Sequence, residues 1–235
     1  MRSSREMIRV SSYNMHKGIG ADRRCNPERI LHVLNEIGAD VVALQEADKR
    51  FGTREAVIAP HLLEDHGGWR AAPLARRAHS IGWHGNTLIV RGNTRIVSAA
   101  AIHLPALEPR GAVIADLLID NQPLRVVGMH LDLSGLWRRR QARAILHHLG
   151  GLPPRPTVMM GELNEWSRGG CLRDFGAAFT LADTGPSFHA RAPIGRLDRI
   201  MTSSDLRVTR AGVHMSAIAR VASDHLPIWA EIEPA

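Results

Sequence analysis

Cysteine is scarce. Cys25 and Cys171 are the only two in 235 residues, they lack Cys-x-x-Cys spacing, and they are too few for a disulfide framework. That argues against a disulfide-stapled secreted scaffold and fits a reducing, cytoplasmic compartment. Aromatic residues make up only 4% of the chain, which leaves few rings on which single-stranded bases could stack. No segment approaches the roughly 18 unbroken apolar residues of a membrane span. The first residues carry Arg2 and Arg5 but no apolar core of a signal peptide, so a soluble chain with no stable membrane insertion is expected. Low-complexity tracts, Ser/Gly-rich linkers and short-period repeats are also missing. The expectation is one domain spanning residues 1–235, acting as a monomer.

Lysine is nearly absent too. Of 30 basic residues only Lys17 and Lys49 are lysines, and the formal net charge is +7. An arginine offers a planar fork of donors that suits phosphate, so the excess points to a polyanionic substrate. A general bias of the source toward arginine codons would give the same composition. What the chain does have is apolar residues, at 44%, enough for a sizeable core.

These apolar residues fall into runs punctuated by Gly, Pro and Asn. Residues 7–14, "MIRVSSYN", alternate as a strand does. In "NPERILHVLNEIG" a helix is expected, with Asn26 as N-cap, Pro27 in the first turn, an apolar face through Ile30, Leu31, Leu34 and Ile37, and Gly38 as the stop. "ADVVALQE" reads as a strand buried on both faces, and "GNTLIVR", "TRIVSAAAIHL", "GAVIADLLID" and "PLRVVGMHL" follow as consecutive strands. "SGLWRRRQARAILHHLGG" is a second helix, with Leu136, Ile145 and Leu149 among its apolar positions. "PTVMMGELN", "GRLDRIMTS", "DLRVTRAGVHM" and "HLPIWAEIE" complete the strands. Many strand pairs and few helices imply an α/β fold of two packed sheets flanked by helices.

The polar residues recur at one kind of place. Asn14, Glu46, His130, Glu162, Asn164, Asp198, Asp224 and His225 all lie at or beside the ends of expected strands, where a rigid core presents loops for chemistry. Each alone is a common turn residue or solvated acid. Together they have the composition of a metal-assisted phosphoryl hydrolase. A carboxylate such as Glu46 with the amide of Asn14 supplies hard oxygen ligands suited to Mg²⁺ or Mn²⁺. A histidine beside an aspartate, as in Asp224-His225, can polarise or protonate a phosphate oxygen while a second carboxylate fixes its tautomer.

The motifs "YNMHKG", "ADVVALQE", "RGAV", "GMHLD", "GELNEW", "RLDRI" and "SDHLPIW" run in order from about residue 8 to 232. In that order the chain resembles the endonuclease/exonuclease/phosphatase superfamily, and within it the small bacterial members more than the abasic-site repair branch. The resemblance implies a four-layer α/β sandwich, two facing mixed β-sheets flanked by helices, with a metal site at the top of the sheets. It implies that Asn14 and Glu46 hold a Mg²⁺ or Mn²⁺ ion, with Asp224 organising the metal side. His130 would contact the phosphate, Asn164 would orient phosphate or water, Asp198 would brace His225, and Arg110 would sit near the substrate phosphate. The expected activity is divalent-metal-dependent hydrolysis of a phosphodiester or phosphomonoester by water attack at phosphorus.

One position departs from the pattern. Where the family usually has Asp in "GDFN", this chain has Glu162, and the extra methylene moves the carboxylate by over an ångström, a shift that can cost on the order of a hundredfold in rate. Three readings follow: the longer arm does the same job, the site is slow, or the protein is a weakened relative that binds nucleic acid or phospholipid without turnover. If Glu162 is not the carboxylate that positions water, Asp132 is the next candidate. The substrate stays open among nucleic acid, phospholipid and small phosphate esters. The basic run Arg138, Arg139, Arg140 and Arg143 would track a phosphate backbone or form a solvated helix face, the second being the commoner use of such a run.

Overall fold

The structure, a computed structural model, describes residues 7–50, 52–74 and 79–235, so Arg2 and Arg5 lie outside the described residues. Two six-stranded mixed sheets stack face to face. The first contains β1 (Ile8–Asn14), β2 (Val41–Gln45), β3 (Arg70–Ala71), β4 (Thr87–Val90), β11 (Leu206–Val213) and β12 (Ile228–Pro234), in the order β11-β12-β1-β2-β4-β3. The second contains β5 (Arg95–Ile102), β6 (Gly111–Ile119), β7 (Gln122–His130), β8 (Thr157–Glu162), β9 (Thr180–Leu181) and β10 (Asp198–Thr202), in the order β5-β6-β7-β8-β10-β9. In each sheet one parallel pair lies at the centre, β1 with β2 and β7 with β8.

Alternation along the strands sorts three apolar clusters. Val10, Val41, Ala43, Val126, Val158, Met160, Ile200 and Ile228 fill the space between the sheets. Their sequence neighbours point outward. Tyr13, Val42 and Leu44 meet α1 (Pro27–Ile37), α2 (Pro60–Gly67) and α5 (Ala219–Ala222), while Val127, Met129 and Met159 meet α3 (Gly135–Gly150) and α4 (Cys171–Gly176). Helix, sheet, sheet, helix gives the four layers expected.

The helix α1 is built as its sequence implies: the Asn26 side chain accepts from the Glu28 N–H, Pro27 opens the helix, and Gly38 closes it at φ 64°. Helices α2, α4 and α5 were not expected. They are short, and each buries only one or two side chains, so no periodicity marks them. Helix α3 forms where expected, with Ile145 buried and Leu149 packed against the same cluster, but it turns polar residues inward as well. Leu136 is exposed, and Arg138, Gln141, Ala142 and Ile145 are buried. No helix among the described residues is long and apolar enough to cross a membrane.

Candidate active site

Register brings three candidate residues into one row. His130 at the end of β7 pairs with Glu162 at the end of β8, and Glu162 faces Asp198 at the start of β10. Residues directly opposite share a face. Their parity with Val126, Met160 and Ile200 turns all three toward the space between the sheets. Asn14, in step with Val10 on β1, points into the same space from the other sheet. The strands β7 and β8 come together closely just before this row because position 161 is glycine. At φ 154° a Cβ there would lie 1.9 Å from the Met129 carbonyl oxygen, so no side chain fits.

Glu162 is the centre of the arrangement and is only 4% exposed. Asn14 Nδ2 donates to Glu162 Oε2 at 2.5 Å, His130 Nε2 lies 3.0 Å from the same oxygen, and His225 Nε2 lies 3.7 Å from Oε1. Burial alone would raise this carboxyl, but the charge and hydrogen bond of His130, the charge of His225 and the Asn14 amide outweigh it and hold Glu162 well below the usual carboxylate range. It is not a solvated strand end. His225 Nδ1 sits 2.8 Å from Asp198 Oδ2, which also accepts from the Ser187 hydroxyl. Burial would lower this imidazole, yet Asp198 above all, with Glu162 and Asp224, pushes it up to about 10. The second oxygen of Asp198 is buried with no hydrogen-bond partner.

Glu46 reaches the site by a break in the pattern. Strand alternation would send it to the helix side with Val42 and Leu44, but its left-handed φ of 55° turns the chain, and its carboxylate lines a cleft beside His130. The Lys17 ammonium contacts Glu46 Oε2 directly. Burial would raise Glu46, but Lys17 and His130 more than offset it and keep the group low and ionised. Arg110 contacts His130 Nε2 through one guanidinium nitrogen. That nitrogen of His130 cannot both accept from Arg110 and donate to Glu162; when it donates to Glu162, the Arg110–His130 contact brings two donors together with no acceptor between them.

Two candidates sit slightly apart. Asn164, at φ 53°, donates to the Leu131 carbonyl at 3.1 Å and ties the loop after β8 to the loop after β7. Asp224 lies 3.6 Å from His16 Nδ1 and accepts from the Ser223 hydroxyl at 3.3 Å. Asp132 is buried, with one oxygen accepting from the Ser134 N–H and the other without a partner. Sequence reasoning passed over Lys17, Ser187 and Phe188. Lys17 carried one usable signal, being one of two lysines in an arginine-rich chain. Phe188 had none, and its ring packs 4.8 Å from that of His225.

The donor chemistry fits a divalent cation that keeps most of its waters. Among the described residues no three His, Cys, Asp or Glu side chains form a closed cage. Mg²⁺ needs none, since one or two carboxylates, water and substrate phosphate complete its shell. The ionised, cleft-lining Glu46 offers such a carboxylate, and the Asn14 amide oxygen, which accepts once from the His16 N–H, retains a second lone pair.

Two stacked mixed sheets with acid, amide and imidazole groups gathered at one end define the class of protein. The chain belongs to the Endonuclease/Exonuclease/phosphatase family, whose profile matches residues 11–225. Members of that family are hydrolases acting as nucleases, phosphodiesterases and phosphatases. An endonuclease/exonuclease/phosphatase from Bacteroides vulgatus has the same fold, with TM-score 0.78 and 16% identity over 97% of this chain and 99% of that one. So do the catalytic domain of human Nocturnin with bound sulfate (TM-score 0.75, 21% identity, 98% and 96% covered) and the mannosyl-6-phosphatase Bt3783 of Bacteroides thetaiotaomicron (0.73, 17%, 96% and 99%). No curated protein matches the sequence.

Proposed function

We propose that residues 1–235 form one domain that hydrolyses phosphate esters, phosphodiester or phosphomonoester, with a Mg²⁺ or Mn²⁺ ion held by Glu46 and Asn14 and organised from one side by Asp224. The observation that carries the reading is the buried Glu162 carboxylate, held by Asn14 from one sheet and by His130 from the other, opposite a His225–Asp198 pair. When bound, the cation supplies Lewis-acid polarisation of a phosphoryl oxygen. Arg110 and His130 supply the rest of the phosphate's cradle: an anionic oxygen between them accepts from both and resolves the clash of donors. Asn164 steadies the loop that borders the phosphate.

A carboxylate held as low as Glu162 is a weak base, so its part is to accept a hydrogen bond from the attacking water and fix its direction. The new oxygen–phosphorus bond forms as the ester oxygen departs, and solvent in the open cleft exchanges the protons. His225, kept positive by Asp198, stabilises the extra negative charge on the phosphoryl oxygens during that exchange. Two free thiols accord with a reducing, cytoplasmic location. A second reading, a relative that binds phosphate groups without turnover, draws on the Lys17 ammonium lying on the carboxylate assigned to the metal.

The test is hydrolysis of bis(p-nitrophenyl) phosphate with the metal removed and restored. Chelator should abolish turnover and Mn²⁺ should restore it, and Glu46→Gln should raise the Mn²⁺ concentration for half-maximal rate by about tenfold or more, because a neutral amide is a poorer hard ligand. Turnover that survives chelator would overturn the metal assignment. Binding of the ester without turnover at saturating Mn²⁺ would select the second reading.

A further inference from the structure

The cleft beside His130 has a cavity of only about 70 Å³, but its lining extends beyond the groups assigned to the scissile phosphate. Its inner wall is the proposed catalytic side, with Glu46, His130 and Arg110. The outer wall is built from Arg50, Arg54 and His84, none of which the hydrolytic reading uses.

The outer wall is organised to receive negative charge. Arg54 Nη1 lies 3.0 Å from His84 Nδ1. A guanidinium is always a donor, so Nδ1 accepts, and the imidazole is the neutral tautomer with its proton on Nε2. The ring is held edge-on against Trp83, with centroids 4.4 Å apart, and Trp83 itself lies against Gly111, where a Cβ would come within 2.8 Å of it. The chain adopts left-handed backbone at Arg54, φ 52°, close behind Gly52 at φ 68°. A non-glycine residue takes that conformation at a cost, and the sharp turn returns Arg54 to the cleft.

Two carboxylates border this wall: Asp48, which accepts from the Ser80 hydroxyl and the Ile81 N–H, and Glu108. Glu108 Oε2 lies 3.1 Å from Arg50 and 3.5 Å from Arg110, joining the outer wall to the guanidinium that meets His130. A carboxylate bridging two arginines has the geometry of the phosphate oxygen they would otherwise share.

We propose that the outer half of the cleft, formed by Arg50, Arg54 and His84 and bridged to Arg110 by Glu108, is a subsite for a second phosphate group carried by the ester being cleaved. The inference rests on the hydrolase reading for the position of the first phosphate. The second phosphate has two sources with one chemistry, the next backbone phosphate of an oligonucleotide or a distal phosphate on a small phosphorylated alcohol. Glu108 occupies the arginines until that group displaces it.

Binding and turnover test this separately. Titration of the full chain with inorganic pyrophosphate in chelator, read by calorimetry, should give saturable binding. Arg54→Ala should weaken that binding about tenfold, in line with the loss of a charge-assisted contact. Glu108→Gln should tighten it several-fold by removing the internal competitor. No binding, or binding indifferent to both changes, would overturn the subsite even if hydrolysis is intact. With Mn²⁺, kcat/KM for 5′- and 3′-phosphorylated dithymidylate should exceed that for unphosphorylated dithymidylate if the source is a nucleic-acid backbone. Fructose 1,6-bisphosphate should exceed fructose 6-phosphate if it is a small ester. Whichever preference holds should shrink about tenfold in Arg54→Ala, and a preference that survives the change would place the second phosphate elsewhere. If no ester is turned over, the hydrolase reading fails and the pyrophosphate titration still decides the subsite.

Discussion

At the scale of single residues, Glu162 shows what one methylene can do. A shorter aspartate at this strand end would retract the carboxylate from His130, which is now 3.0 Å away, and from His225 at 3.7 Å. The longer arm therefore works as a bridge between the sheets, with Asn14 donating from the opposite one. Glu162→Gln keeps the size and removes the charge, and the expected outcome is a fall in kcat of about a hundredfold or more with KM little changed, as for an interaction made in the transition state. Glu162→Asp should also fall, because the surrounding shell is fitted to glutamate and catalytic groups tolerate little displacement. Rates measured on bis(p-nitrophenyl) phosphate with saturating Mn²⁺ decide it. Equal rates for the wild type and Glu162→Gln would hand the water to another carboxylate such as Asp132. A faster Glu162→Asp enzyme would mean instead that the natural site is detuned.

At the scale of elements, the arginine-rich helix α3 illustrates how tertiary contacts redirect a charge run. Arg138 is buried, donating to Glu165 at 3.3 Å and to the Leu133 carbonyl at 2.6 Å. Arg139 and Arg143 both reach Asp174 on α4, at 3.0 and 3.1 Å, and Arg140 lies over the Trp137 ring. Arg139, Arg140 and Arg143 are exposed, as on a solvated helix face, while Arg138 is buried. Three of its four arginines hold neighbouring segments together. Arg138 matters most, because it joins the loop after β7 to the loop after β8, the two loops that border the site. Arg138→Met should cost about 3 kcal/mol in urea unfolding, since Glu165 loses the cation on Oε2 and keeps the Ser167 hydrogen bonds to Oε1. Arg138→Met/Glu165→Leu, which removes both, should recover most of that loss. Failure of the double variant to recover would show that the backbone contact to Leu133 carries the effect.

At the scale of the whole molecule, the site exists because two sheets approach each other closely, and Gly128 marks where they do. A Cβ there would lie 3.1 Å from Leu88 Cδ2 and 3.2 Å from Ala43 Cβ, both on the facing sheet. Gly128→Val should wedge the sheets and destabilise the fold by about 2 kcal/mol or more in denaturant unfolding, the cost of overpacking a close-packed interior. It should also lower activity in the molecules that remain folded, since Asn14 and Glu162 meet across that gap. Unchanged stability would mean that the layers are free to separate.

Much of this was legible before any coordinates. Period-two alternation in "MIRVSSYN" and the capped apolar face of "NPERILHVLNEIG" fix β1 and α1, because burial and capping are local in sequence. The order of the motifs fixed the family and the four-layer plan. Leu136 shows the limit on α3: period alone selected it as apolar core, yet the helix buries Arg138 and Gln141 instead, since partners on other segments satisfy their polar groups. The amino-acid sequence by itself determined which residues stand at strand ends, because alternation and turn chemistry act between near neighbours. Only the tertiary structure decided that Glu162 is held between His130, His225 and Asn14, that Lys17 lies on Glu46, and that Arg50, Arg54 and His84 share a wall. Apart from Arg50 and Arg54, those groups lie tens to hundreds of positions apart, and what brings them together is strand pairing within each sheet and, for Asn14 with Glu162, the burial of the two sheets against each other.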